Sequence, residues 1–239
     1  MSVLQDLKEK KIMAKVLAVV TSHSIYNGYS IATGLWLSEL THFFKRVAEA
    51  GHTVDIASIA GGEVPIDPIS LEGANIDAET QGFYDDPRFM RLLAETPALK
   101  DINMADYDVI YFTGGHGTLY DFRDNEAVAA AILQVDEQGG IVSAVCHGPA
   151  ALLDVQKDGQ PFIAGKKVTG FADIEEKLVK REEMVPYVLE EGLREQSGHY
   201  SKALLPFVPH VVTDGRLVTG QNPQSAKGVA EKVIEMLAK

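Results

Sequence analysis

Short, largely apolar runs alternate along this chain with longer amphipathic ones. Lys15–Thr21, Thr53–Ser58, Asp108–Phe112 and Ile141–Val145 are rich in β-branched and aromatic residues, the pattern of strands covered on both faces. Gly34–Ala50 carries Leu35, Trp36, Leu40, Phe43, Phe44 and Val47 at helical spacing, with Thr33 placed to cap the helix and Gly51 to stop it. Asn125–Gln138 gathers Val128, Ala131, Ile132 and Val135 on one face and ends at Gly139-Gly140. Further helices are predicted over Pro87–Glu95 and Val185–Gln196, and a short strand over Gly165–Gly170. Asp214-Gly215 joins His210–Thr213 to Arg216–Thr219 as a hairpin, and Ser225 caps a last helix with Val229, Val233, Ile234 and Leu237 facing inward. Strands alternating with helices, closed by one hairpin, predict an α/β fold with a mostly parallel sheet and helices on both faces.

Residues 1–239 read as a single domain, with no repeat or linker to divide it. Met1–Lys11 is a polar, helix-prone lead-in to a core over 12–239. The region 59–106 is irregular and long for a connection in a compact domain, so it is expected to form a lid or a binding wall. A formal net charge of −12 argues against nucleic acid or an anionic membrane as partner. Cys146 is the only cysteine, which permits no internal disulfide and suits a reducing cytoplasm. No apolar run approaches the ~20 residues that span a bilayer.

That one cysteine sits where chemistry is concentrated. Ile141–Val145 leads into Ala144-x-Cys146-x-Gly148, followed by a helix-forming run, Ala150–Leu153. Small residues on either side of a central nucleophile let strand and helix cross closely at a sharp turn, as in a nucleophile elbow. A helix N-terminus there would favour the thiolate; the plainer alternative is a small buried core residue. Gly114-Gly115-His116-Gly117 ends the third strand, where backbone N–H groups can face a ligand crevice. Without a following Lys-Ser/Thr it is not a phosphate loop. The N–H groups of His147 and Gly115 are candidate oxyanion donors, and His116 a candidate substrate contact. The His147 side chain could activate the sulfur if an acid such as Glu176 orients it, although Asp173 and Glu175 stand close by. Glu39, near the start of the first helix, is either a solvated acid or a partly buried functional one. His23, His42, His52, His199 and His210 show no metal-ligand spacing with one another or with Cys146, so no metal is expected. No dinucleotide fingerprint is present.

Four motifs together resemble the ThiJ/PfpI superfamily: Ala-Val-Cys-His-Gly-Pro-Ala, Gly-Gly-His-Gly-Thr, Thr33-Gly-x-x-x-x-Glu39 and Thr213-Asp-Gly-Arg-Leu-Val-Thr-Gly-x-Asn-Pro223. Within it, the chain is most similar to the branch of heat-shock chaperones that act as glutathione-independent glyoxalases (glyoxalase III). The resemblance implies a flavodoxin-like three-layer sandwich, a homodimer, and cofactor-free conversion of methylglyoxal to D-lactate, with glyoxal as a related substrate. It also implies that Cys146 is the nucleophile with Glu39 beside it, and that His147 and Glu176 complete a triad. The rival readings are a cysteine amidase or peptidase, a deglycase acting on glyoxal adducts, and a stress holdase that senses peroxide through Cys146.

Overall fold

The computed structural model describes residues 13–239, and the predicted lead-in Met1–Lys11 lies outside them. Four parallel strands, β1 (Lys15–Val20), β2 (Thr53–Ser58), β3 (Val109–Phe112) and β4 (Ile141–Val145), form the heart of one sheet. β5 (Val211–Asp214) and β6 (Leu217–Gly220) complete it in the order β2-β1-β3-β4-β6-β5, with β5 as the antiparallel edge. All residues of β3 and β4 are buried, which is why their sequences lack a polar face. The hairpin is offset by one residue from its expected turn. Asp214 pairs with Leu217, so Gly215-Arg216 forms the loop, with Gly215 at φ +57°, a backbone that glycine supplies at little steric cost.

Helices α1 (Leu37–Glu49) and α2 (Ala226–Leu237) pack against each other on one face. The helix Glu126–Glu137 packs on β3 and β4 from the other. The result is a flavodoxin-like three-layer α/β sandwich. Leu37, Leu40, Phe43 and Val47 are the buried face of α1, and Phe43 stacks on Tyr111 of β3 with ring centroids 3.6 Å apart. The first helix starts later than predicted, because Leu35 and Trp36 precede it in extended backbone. Phe44 turns away from the sheet and meets Phe83 and Phe89 edge-on.

Neither predicted hydroxyl cap forms. Thr33 donates to the buried Asp67 carboxylate, and Ser225 donates to Asn222 while accepting from His210 N–H. Of the predicted strand Gly165–Gly170 only Lys167–Val168 is extended, and it pairs with His199–Tyr200 outside the main sheet. The fourth predicted helix shifts to Leu189–Ser197. The 59–106 region holds the helices Ala78–Tyr84 and Pro87–Ala94 among short 3₁₀ turns. The chain leaves β2 on one side of β1 and enters β3 on the other. Crevices for ligands open at the carboxyl ends of strands beside such a switch point.

Candidate active site

β4 delivers Cys146 into that crevice through a turn with φ +58°. A left-handed conformation at a non-glycine residue is strained and persists only where its surroundings hold it. Here Cys146 N–H donates to Gly220 O at 2.9 Å, and Cys146 O accepts from Phe171 N–H at 2.8 Å. The tight crossing needs Gly148, where a Cβ would lie 2.3 Å from Phe112 O. The run beyond the elbow is a 3₁₀ segment, Gly148–Leu152, rather than the expected helix from Ala150. So short a run brings little of a helix macrodipole to the sulfur.

Phe171 N–H on Cys146 O docks the segment that leads to the acidic helix Asp173–Val179. Of its three acids, Glu176 is the one that reaches the site. Its Oε2 lies 2.8 Å from His147 Nε2, and His147 Nδ1 lies 3.3 Å from Cys146 Sγ. Glu175 turns the other way, accepting from Phe207 N–H, Asn222 Nδ2 and Ala172 N–H. Asp173 pairs with Lys177 at the surface. The second Glu176 oxygen is 2.7 Å from His116 Nε2, so one carboxylate holds two imidazoles whose ring centroids are 4.2 Å apart.

Glu39 enters from the first turn of α1 and is wholly buried. Tyr111 donates its hydroxyl to Glu39 O at 3.0 Å, and Gly114 N–H donates to Glu39 Oε2 at 2.6 Å. The carboxyl adjoins the Cys146 thiol, while its Oε1 is enclosed without an aligned protein partner among the described residues. Gly114 makes this approach possible. A Cβ there would lie 2.6 Å from Glu39 Oε2 and 2.8 Å from Cys146 Cβ. We expect Gly114→Ala to push the two apart and lower turnover by about 100-fold, a typical cost of misplacing a reacting group by about 1 Å. Unchanged kinetics in a folded Gly114→Ala protein would show that their spacing is immaterial.

Residues 30–236 match the DJ-1/PfpI family. The chain belongs to that family. It is 33% identical to glyoxalase 3 of Candida albicans over 93% of this chain and 98% of that one. It is 32% identical to a glutathione-independent glyoxalase of Saccharomyces cerevisiae, with the same coverage. Among solved structures, the rapid encystment protein of Francisella tularensis superposes with a TM-score of 0.90 at 39% identity, covering 94% of this chain and 99% of that one.

In this DJ-1/PfpI site the electrostatics depart from expectation at the sulfur. Burial, reinforced by the neighbouring Glu39 carboxyl, pushes the Cys146 thiol up, and Gly115 N–H opposes this only in part. The expected resting thiolate is therefore not favoured: desolvation of a buried sulfur outweighs the weak pull of a 3₁₀ segment. Burial likewise raises Glu39 to about 8, against the smaller lowering effects of Cys146 and Gly114 N–H. Both shifts favour the protonated carboxyl and the protonated thiol. Burial alone would also raise Glu176, but the two imidazoles facing it outweigh that and hold it well below the usual carboxylate range. Burial, with His116 alongside, lowers His147, which is neutral at pH 7.

Gly115, His116, Cys146 and His147 line one cavity of about 440 Å³. Asp67 and Ile69 from the 59–106 region line it too, as does Arg181. Sequence reasoning missed Asp67, Arg181 and the His116–Glu176 contact. His116 and His147 share Glu176, which lies sixty positions from His116 in sequence, and the only available signal was that both follow predicted strands. The nitrogens of these two histidines and a Glu176 oxygen lie within 4.8 Å of one another, a set that could hold a metal ion and that spacing among the other histidines did not reveal. Those others stay apart from it: His23 stacks on Tyr120, His42 pairs with Asp77, and His210 meets Ser201.

Proposed function

We propose that this DJ-1/PfpI protein is a glutathione-independent glyoxalase that converts methylglyoxal, and glyoxal more generally as a 2-oxoaldehyde, to the corresponding 2-hydroxy acid. The observation that carries the reading is the second acid. A hydrolase of this design needs a nucleophile, a histidine and its orienting carboxylate. Glu39 is a further carboxyl, buried beside the sulfur and separate from Glu176. Moving a hydrogen between adjacent carbons requires such a group.

In the first step the thiol proton passes to His147 Nδ1, and the sulfur bonds to the aldehyde carbon C1. The alkoxide formed there faces the N–H groups of Gly115 and His147 and takes the proton held by Glu39. Glu39, now a carboxylate, removes the hydrogen of C1, and the electron pair forms the enediolate with C2. It returns that proton to C2 as the C1 hydroxyl loses its proton and the C2 oxygen gains one, leaving a lactoyl thioester and an ionised Glu39. Water, deprotonated by Glu39, then cleaves the C–S bond, and the departing sulfur recovers its proton from His147. C1 is oxidised as C2 is reduced, so the reaction consumes no external electron carrier. Glu176 keeps the imidazolium of His147 oriented and balanced in charge. Assembly as a homodimer and a cytoplasmic site of action belong to the same reading. The described residues include no helix long and apolar enough to cross a membrane. Cys146 is buried, whereas peroxide sensing calls for an exposed thiol.

The test is incubation of the purified protein with methylglyoxal in thiol-free buffer, with lactate measured by an assay specific for the D enantiomer. D-lactate forming in step with methylglyoxal loss is the expected result. Aldehyde loss without lactate, or no loss at all, would end the proposal.

A further inference from the structure

The mechanism above leaves one proton without a carrier. As C1 becomes a thioester carbonyl, the hydroxyl on C1 must lose its proton, and the oxygen on C2 must gain one. Glu39 is occupied with the carbon-bound hydrogen. His147 cannot serve, because its Nδ1 holds the sulfur's proton until the thioester is cleaved, and its Nε2 is committed to Glu176 at 2.8 Å. We propose that His116 carries this oxygen-bound proton, taking it from the C1 hydroxyl on Nδ1 and returning it to the C2 oxygen. The inference rests on the glyoxalase reading.

Glu176 supplies the geometry. Its two oxygens face one Nε2 each, at 2.7 and 2.8 Å, and accept from both when each imidazole presents Nε2–H. In that arrangement both rings share one tautomer, each with its lone pair on Nδ1. The Nδ1 of His147 meets the sulfur at 3.3 Å. The Nδ1 of His116 has no hydrogen-bond partner among the described residues, and its ring lines the cavity. One carboxylate thus prepares two bases, one aimed at sulfur and one available to substrate oxygen. The ring is also firmly seated. It packs against His147 and Tyr26, with centroids 4.2 and 5.5 Å away. Its loop is tied by Thr118, whose hydroxyl donates to Gly115 O at 2.8 Å. His116 follows directly on Gly115, the residue whose N–H faces the C1 oxygen in the proposed mechanism. The balance closes: His116 gives up the proton it takes, O–H breaks at C1 and forms at C2, and no electrons leave the substrate. A neutral imidazole set against a substrate carbonyl oxygen has a precedent in an isomerase.

The experiment compares wild type with His116→Gln, whose carboxamide still donates to Glu176 but cannot carry a proton. Steady-state turnover of methylglyoxal and the rate of Cys146 alkylation by iodoacetamide are measured on the same preparations. The expected result is a fall in kcat of about 100-fold or more, with KM and alkylation within about threefold of wild type. A kcat within about threefold of wild type would overturn the role. So would alkylation falling in proportion to kcat, because His116 would then act on the thiol through Glu176 and His147. A wild-type protein that forms no lactate would remove the glyoxalase reading and this inference with it. An active wild type with a fully active variant would remove only the role of His116.

Discussion

Cys146→Ser is expected to lower lactate formation by ~10³-fold or more, because a hydroxyl is a far weaker nucleophile than sulfur and must lose a much less acidic proton. The loss should be chemical rather than structural. Serine is no larger than cysteine, and the turn at φ +58° is held by Gly220 O and Phe171 N–H through backbone atoms that the substitution leaves alone. The new hydroxyl would find His147 Nδ1, which lies 3.3 Å from the present sulfur, so no unpaired polar atom is created. The thermal midpoint should therefore stay within a few degrees of wild type. Both quantities must be measured on one preparation. Substantial lactate from a folded serine variant would take Cys146 out of the mechanism. Inactivity accompanied by unfolding would instead show that the sulfur holds the elbow together.

Where both faces of a segment are covered, its sequence carries the signal directly, and β3 and β4 were legible for that reason. The elbow was legible because Gly148 and Cys146 answer to a steric requirement local to one turn. Features decided by distant partners were not. Glu39 is buried by the Gly114 loop, seventy-five positions away, and helical spacing cannot show what will cover a helix start. Thr33 and Ser225 have the chemistry of caps, but Asp67 and Asn222 offered their hydroxyls buried tertiary partners instead. The choice among Asp173, Glu175 and Glu176 depended on which face of Asp173–Val179 turns inward, and Phe171 N–H on Cys146 O helps settle that. The thiolate was expected from the elbow pattern alone. A 3₁₀ run and full enclosure reversed the balance, and neither is visible in the spacing of small residues.

Glu39→Gln separates the two uses of that side chain. Glutamine is nearly isosteric and stays neutral, so it resembles the protonated carboxyl of the wild type, which persists up to about pH 8. It cannot take a hydrogen from carbon. Lactate formation should therefore fall by about 10³-fold, within the range for loss of a general acid–base group. Alkylation of Cys146 should be preserved at pH 7 and become faster than wild type above pH 8. There the ionised Glu39 of the wild type holds the thiol up, and glutamine does not. Stability carries the same signature. A carboxyl whose pKa rises on folding from the ordinary value of 4.5 to about 8 binds its proton more tightly in the folded state. Its contribution is full below the unfolded value and is lost as pH rises through about 8. The denaturation midpoint of the wild type, relative to Glu39→Gln, should accordingly decline between pH 5 and pH 9. Parallel midpoints would show Glu39 to be ionised throughout that range. Full turnover by the glutamine variant would reduce Glu39 to a neighbour that tunes the thiol, and another group would have to act as the base on C1.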